Sequence, residues 1–158
     1  MRKIDAIILH CTDSTDDGSI GAEEIDQWHK ERAKTEPWSH YIDHNGVVRY
    51  IGYHYVVKRD GNVDQARPES EVGCHCKGMN KSSLGVVWVG RTHMAARQKP
   101  AVVQIVAELC VEHALSAADV YGHCQFSKKT CPNFDSAFTF ESMDDFRRII
   151  EMVIREIK

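Results

Sequence analysis

The stretch Tyr121–Asp135 reads YGHCQFSKKTCPNFD, with one histidine, two cysteines, adjacent lysines and a closing Cys-Pro. Its His–Cys interval, His123 to Cys131, is too long for a zinc-finger knuckle, so partners for these side chains must come from elsewhere. His10 lies next to the end of the apolar run DAIILHC, and His123 is the last residue of ADVYGH, so each histidine stands where a short strand would stop. Pro132 stiffens the loop after Cys131 and removes one backbone donor. Two imidazoles and a thiolate are the donors of a catalytic zinc set, three protein ligands with the fourth position left to water. The chain has nine histidines, so composition does not single out these two.

A rival metal site is GCHCKG, at 73–78. In an extended segment Cys74 and Cys76 face one way and His75 the other, so the three cannot easily grip one ion. A disulfide across a single residue would be strained. Cys110 and His113 fall on the apolar face of a helical pattern and read as core. Cys11 and Cys124 each adjoin a proposed ligand, point away from it and read as small buried thiols. Lys129 lies two residues before Cys131, so in an extended loop the two side chains emerge on one side, and the ammonium could stabilise an oxyanion there. Lys128 reads as its solvated neighbour. In GYHYVVKRDG, Tyr53 and Tyr55 share one face and His54 takes the other; either phenol could exchange a proton with a reacting centre. Trp28, Trp38 and Trp88 read as core or cleft wall.

These residues need a scaffold, and the chain of 158 residues is long enough for one domain, 1–158, with its own core. Its 42% hydrophobic and 27% charged content is that of a globular protein, and a net charge of -3 spread along the chain gives no nucleic-acid or membrane-surface patch. The run Ala6–Leu9 is shorter than a signal-peptide core, and no stretch approaches the roughly 20 apolar residues that span a bilayer. Synthesis in a reducing cytoplasm is expected, with the six cysteines as thiols or metal ligands. DAIILHC and SLGVVWVG read as buried strands. IGAEEIDQWHKERAK reads as a helix with Ile25, Trp28 and His29 on one face. Asn45-Gly46 and Asp60-Gly61 mark turns between antiparallel strands. A helix over 99–117 starts at Pro100, and a final helix aligns Met143, Phe146, Ile149, Ile150, Val153 and Ile157 against the sheet. The pattern is α/β without strict alternation, hence a mixed central β-sheet flanked by helices.

The motifs IILHCT, IDQWHKE, GYHYVVKRDG, GCHCKGMNKSSLGVVWVG and KTCPNFD, in this order, resemble the zinc-dependent N-acetylmuramoyl-L-alanine amidases of the amidase-2 and peptidoglycan-recognition-protein fold, most closely the small bacteriophage amidases. The resemblance implies zinc on His10, His123 and Cys131, catalytic roles for Tyr53 and Lys129, and a place for His75 near the substrate cleft. The segment AKTEPWSHYIDHNGVVRY, 33–50, looks longer than in the compact phage enzymes and would shape one wall of the groove. The implied reaction is hydrolysis of the amide between N-acetylmuramic acid and L-alanine in peptidoglycan. The implied setting is a monomeric phage or prophage endolysin that reaches the cell wall after membrane permeabilisation. The alternatives are a cytoplasmic muropeptide-recycling amidase and a non-catalytic peptidoglycan-binding module.

Overall fold

A computed structural model of the chain describes residues 2–15, 18–134 and 140–158; Asp135, the last residue of the KTCPNFD motif, lies outside them. Among the described residues, seven strands run as β1 (Ala6–Cys11), β2 (Tyr41–Ile42), β3 (Val48–Arg49), β4 (Tyr55–Val57), β5 (Val63–Gln65), β6 (Ser83–Trp88) and β7 (Val120–Gly122). The α-helices are α1 (Ala22–Arg32), α2 (Gln98–Glu112) and α3 (Met143–Ile157). Five strands form the central sheet in the order β5-β4-β6-β1-β7, and β2 and β3 pair separately. β1, β4, β6 and β7 run parallel, with β5 antiparallel at the edge. The mixed sheet flanked by helices is the one expected.

Side-chain alternation along β1 sorts its residues between two faces. Ile7, Leu9 and Cys11 join Val86, Trp88, Val106, Phe146 and Ile150 in the large core under α2 and α3. Ala6 and Ile8 pack with Cys76 on the other face, where Ile25, Val56 and Val87 build the core under α1. Both faces are covered, which is why β1 and β6 are buried throughout.

Local signals explain the elements. The Glu24 carboxylate accepts the Gly21 N–H at 2.8 Å, closing the first turn of α1. Ser142 caps α3 by accepting the Asp145 N–H at 3.1 Å, with Asp144 and Asp145 in the positive first turn. Gly46 and Gly61 hold φ of 78° and 89° in the two hairpins, as the turn dipeptides require. α2 starts two residues before Pro100, because any first-turn position tolerates the missing N–H. It stops at Glu112, well short of 117, and Ala114 follows in the left-handed region at φ 56°.

Burial departs from expectation at several positions, among them Ile157, which is exposed at the end of α3 instead of packing on the sheet. Trp28 is 43% exposed: α1 turns Ile25, Asp26 and His29 inward instead, because Asp26 and His29 bond the backbone of 50–52. His113 is not an apolar-core residue, since it caps α2 and its Nε2 pairs with the Glu69 carboxylate at 2.8 Å.

Candidate metal centre and its surroundings

Parallel strands leave their carboxyl ends on one edge of the sheet, the usual place for a site in such folds. His10 lies near that end of β1, and His123 directly follows β7, which pairs with β1. The loop after β7 folds back on itself: the Cys124 N–H donates to the Cys131 carbonyl at 2.7 Å, and the Phe126 N–H to the His123 carbonyl at 3.0 Å. Trp88 Nε1 donates to the Pro132 carbonyl at 3.1 Å, tying the end of the loop to β6. Cys131 is thereby held beside β1, where its sulfur accepts the Cys11 N–H at 3.2 Å.

One donor atom from each of His10, His123 and Cys131 lies within 4.8 Å of the other two. His10 Nδ1 stands 3.8 Å from the Cys131 sulfur, and the two imidazole centroids are 4.6 Å apart. The span suits a tetrahedral shell with bonds of about 2.0 Å to nitrogen and 2.3 Å to sulfur, and the donor chemistry suits zinc. His10 is 1% exposed, whereas His123 and Cys131 are half-buried, so the trio opens on one side.

Burial, then the neighbouring His75 and His123, pushes His10 far below the ordinary histidine value; burial and Lys129 lower His123. Both imidazoles are neutral and free to offer lone pairs. Contact with the Cys11 thiol, together with burial, pushes the Cys131 thiol well up. A cation between the three groups reverses that direction and favours the thiolate.

The charge of Lys129 helps to lower both histidines. Tyr53 lies 5.0 Å from the His10 ring, centroid to centroid, and burial raises its phenol well above the ordinary value. Tyr55 does not share its face. A bend at His54, just before β4, breaks the alternation. Tyr55 enters the core under α2 and bonds Glu69, while Tyr53 packs on the α1 side.

His75 sits behind His10, its Nδ1 3.0 Å from His10 Nε2, and its own Nε2 is buried. Cys74 is half-buried and Cys76 buried, without a metal-type cluster around them among the described residues. Cys11 turns from His10 but not from Cys131, whose sulfur its N–H meets. Cys124 is exposed rather than packed behind His123, because its short turn lies at the surface.

One contributor that sequence reading passed over as helix face is His29. Its Nδ1 accepts the Gly52 N–H at 3.0 Å, and its ring lies 5.4 Å from Tyr53 and 4.6 Å from Trp38. Trp38, from the 33–50 segment, is fixed by donating Nε1 to the Tyr50 carbonyl at 2.7 Å and lies under the Arg32 guanidinium. Rings therefore run from His10 through Tyr53 and His29 to Trp38. A histidine spaced with an inward acidic residue, as in Asp26 and His29, was the available signal.

The class that fold and site define is an α/β protein with a cluster of two histidines and a cysteine, spaced as a metal would need, at the carboxyl edge of a mixed sheet. The family model described as N-acetylmuramoyl-L-alanine amidase (Amidase_2) matches residues 1–134, and the chain belongs to that family. It is 35% identical over 137 residues to the endolysin of Escherichia phage T7, covering 83% of this chain and 82% of that one. The fold is similar to that of the N-acetylmuramoyl-L-alanine amidase LysC from Clostridium intestinale, with TM-score 0.71 at 24% identity over 90% of this chain and 84% of that chain. It is also similar to Drosophila PGRP-LB, with TM-score 0.65 at 18% identity over 84% and 76%.

Proposed function

We propose that this chain is a zinc-dependent endolysin that hydrolyses the amide between the lactyl group of N-acetylmuramic acid and the L-alanine of the stem peptide. The observation that carries the reading is the convergence of His10, His123 and Cys131, from opposite ends of the chain, on one partly open point. Zinc held there supplies a Lewis acid and lowers the pKa of water toward about 7. Cys131 brings the one negative charge of the donor set, and the neutral His10 and His123 add none. Lys129 provides an ammonium for the negative charge that develops on the substrate carbonyl oxygen. Tyr53, held protonated in its buried position, donates a hydrogen bond or proton at the same reacting centre. His29 and Gly52 hold the backbone that presents Tyr53.

The reading implies synthesis in the host cytoplasm and access to peptidoglycan once the membrane is permeabilised. The endolysin relative from phage T7 supports lysis over recycling. Metal analysis paired with an amidase assay tests the proposal. One zinc per chain and chelator-sensitive release of stem peptides are expected from the wild type, with both lost in Cys131→Ala. Full activity in that variant would remove the ligand set. Clearing of intact sacculi, rather than cleavage confined to soluble muropeptides, separates the endolysin from a recycling enzyme.

A further inference from the structure

We infer that His75 is a positioning residue for the metal centre: its Nδ1 accepts the Nε2–H of His10 and so leaves His10 Nδ1 as the free donor. The inference rests on the zinc reading above. His10 Nε2 and His75 Nδ1 are 3.0 Å apart, with the rings edge to face at 90°. The other nitrogen of His10, Nδ1, is the one 3.8 Å from the Cys131 sulfur. A neutral imidazole carries a single N–H. If that hydrogen sat on Nδ1, it would point into the donor set and close it to a cation. An acceptor behind His10 puts the hydrogen on Nε2 and fixes the ring's rotation about χ2 as well.

The surroundings hold His75 in place for this contact. Gly85 of β6 pairs with Ile8 of β1, and a Cβ there would lie 2.6 Å from His75 Cγ. A Cβ at Gly73 would lie 2.6 Å from His75 Cδ2. The ring thus occupies a slot that exists only because both neighbours are glycine. Asn80 Oδ1 accepts the N–H groups of His75 and Cys76, each at 2.9 Å, which sets the backbone. Behind the ring stands His54, edge to face at a centroid distance of 5.7 Å, itself fixed by the Gly85 N–H donating to its Nδ1 at 3.0 Å.

One feature argues that the ring is there for its acceptor. His75 Nε2 is buried and has no hydrogen-bond partner among the described residues. With Nδ1 accepting, that nitrogen carries an N–H, and a buried N–H without a partner destabilises the folded chain. An apolar side chain of similar bulk would fill the slot without this cost, but it could not accept from His10.

Asparagine and glutamine separate the two ring nitrogens, since the Asn amide oxygen can stand near Nδ1 and the Gln amide reaches toward Nε2. Zinc affinity of the full chain, read by competition with a chromophoric chelator, is the measurement, with melting temperatures in EDTA recorded alongside. His75→Asn is expected to bind zinc within about 3-fold of wild type, while His75→Gln and His75→Leu weaken it by about 10 to 100-fold. Unchanged affinity in Gln and Leu overturns the inference, as does an Asn variant as weak as Leu at the same melting temperature. If the Leu variant does not fold, the Asn–Gln comparison decides alone. A wild-type chain that takes up no zinc overturns the metal reading and this inference together. Tight wild-type binding with indifferent His75 variants overturns this inference only.

Discussion

Lys128 and Lys129 are neighbours of equal charge, and it is Lys129 that stands among the groups lowering His10 and His123. The difference sets a residue-scale prediction. Lys129→Ala lowers kcat by about 100 to 1000-fold, the usual cost of losing an oxyanion stabiliser, with zinc content intact. Lys128→Ala stays within about 2-fold, as for an ordinary surface change. Tyr53→Phe removes a donor from the same centre and lowers kcat by about 100-fold or more, whereas Tyr55→Phe, which breaks a bond to Glu69 on the opposite face, acts on stability. Steady-state rates on purified sacculi, with metal content measured on the same samples, check the two lysine variants and Tyr53→Phe, and a urea midpoint checks Tyr55→Phe.

At the scale of elements, α1 orders the approach to the site. Asp26 accepts the N–H groups of Tyr50 and Ile51 at 2.6 and 2.8 Å, and His29 accepts that of Gly52, so one helix face holds the irregular segment leading into Tyr53. Burial lowers His29 to about 4 and, on the far side of His75, His54 to about 3. A histidine whose folded value lies below its unfolded value is kept neutral by the fold, and the unfolded chain takes up the proton first. Its stabilising contribution is complete above about pH 6.5 and is lost as pH falls toward 4 for His29 and 3 for His54. The loss from His29 across that window is about 3 kcal/mol. Urea midpoints at pH 7 and pH 4.5 compare wild type with His29→Asn, which can keep the acceptor without titrating and should reduce the dependence by the His29 share, leaving that of the other buried histidines. α3 acts through the core instead. Phe146→Ala costs about 3 to 5 kcal/mol, while Met152→Ala on the exposed side changes stability by less than about 0.5 kcal/mol, by the same urea method.

For the whole molecule, the cluster of His10, His123 and Cys131 joins β1, near the start of the chain, to the loop after β7. A cation bound by His10, His123 and Cys131 is therefore a cross-link between distant segments that the unfolded chain does not assemble. Free zinc at 100 times its dissociation constant raises unfolding free energy by about 2.7 kcal/mol. Thermal melts across a zinc titration should shift upward in the wild type and remain flat in Cys131→Ala. No helix among the described residues is long and apolar enough to cross a membrane.

Much of this was legible in the chain before folding. β-branched and apolar runs mark β1 and β6, turn glycines mark the two hairpins, and the 3.6-residue spacing of α3 marks its buried face, because burial and backbone period leave local signatures. The order IILHCT to KTCPNFD carried the family. Local pattern did not decide which tyrosine faces His10, since a single bend at His54 cancels the two-residue period. It did not expose Trp28, because Asp26 and His29 rotate α1 through bonds to residues over twenty positions away. Nor could it pair His10 with His75. That contact exists because parallel pairing sets β6 beside β1 and leaves Gly85 as a gap for the ring. Sequence by itself determined the elements and the kinds of side chain they carry; only the tertiary register decided which of those side chains meet, because hydrogen bonds between distant segments depend on position in space and leave no periodic trace.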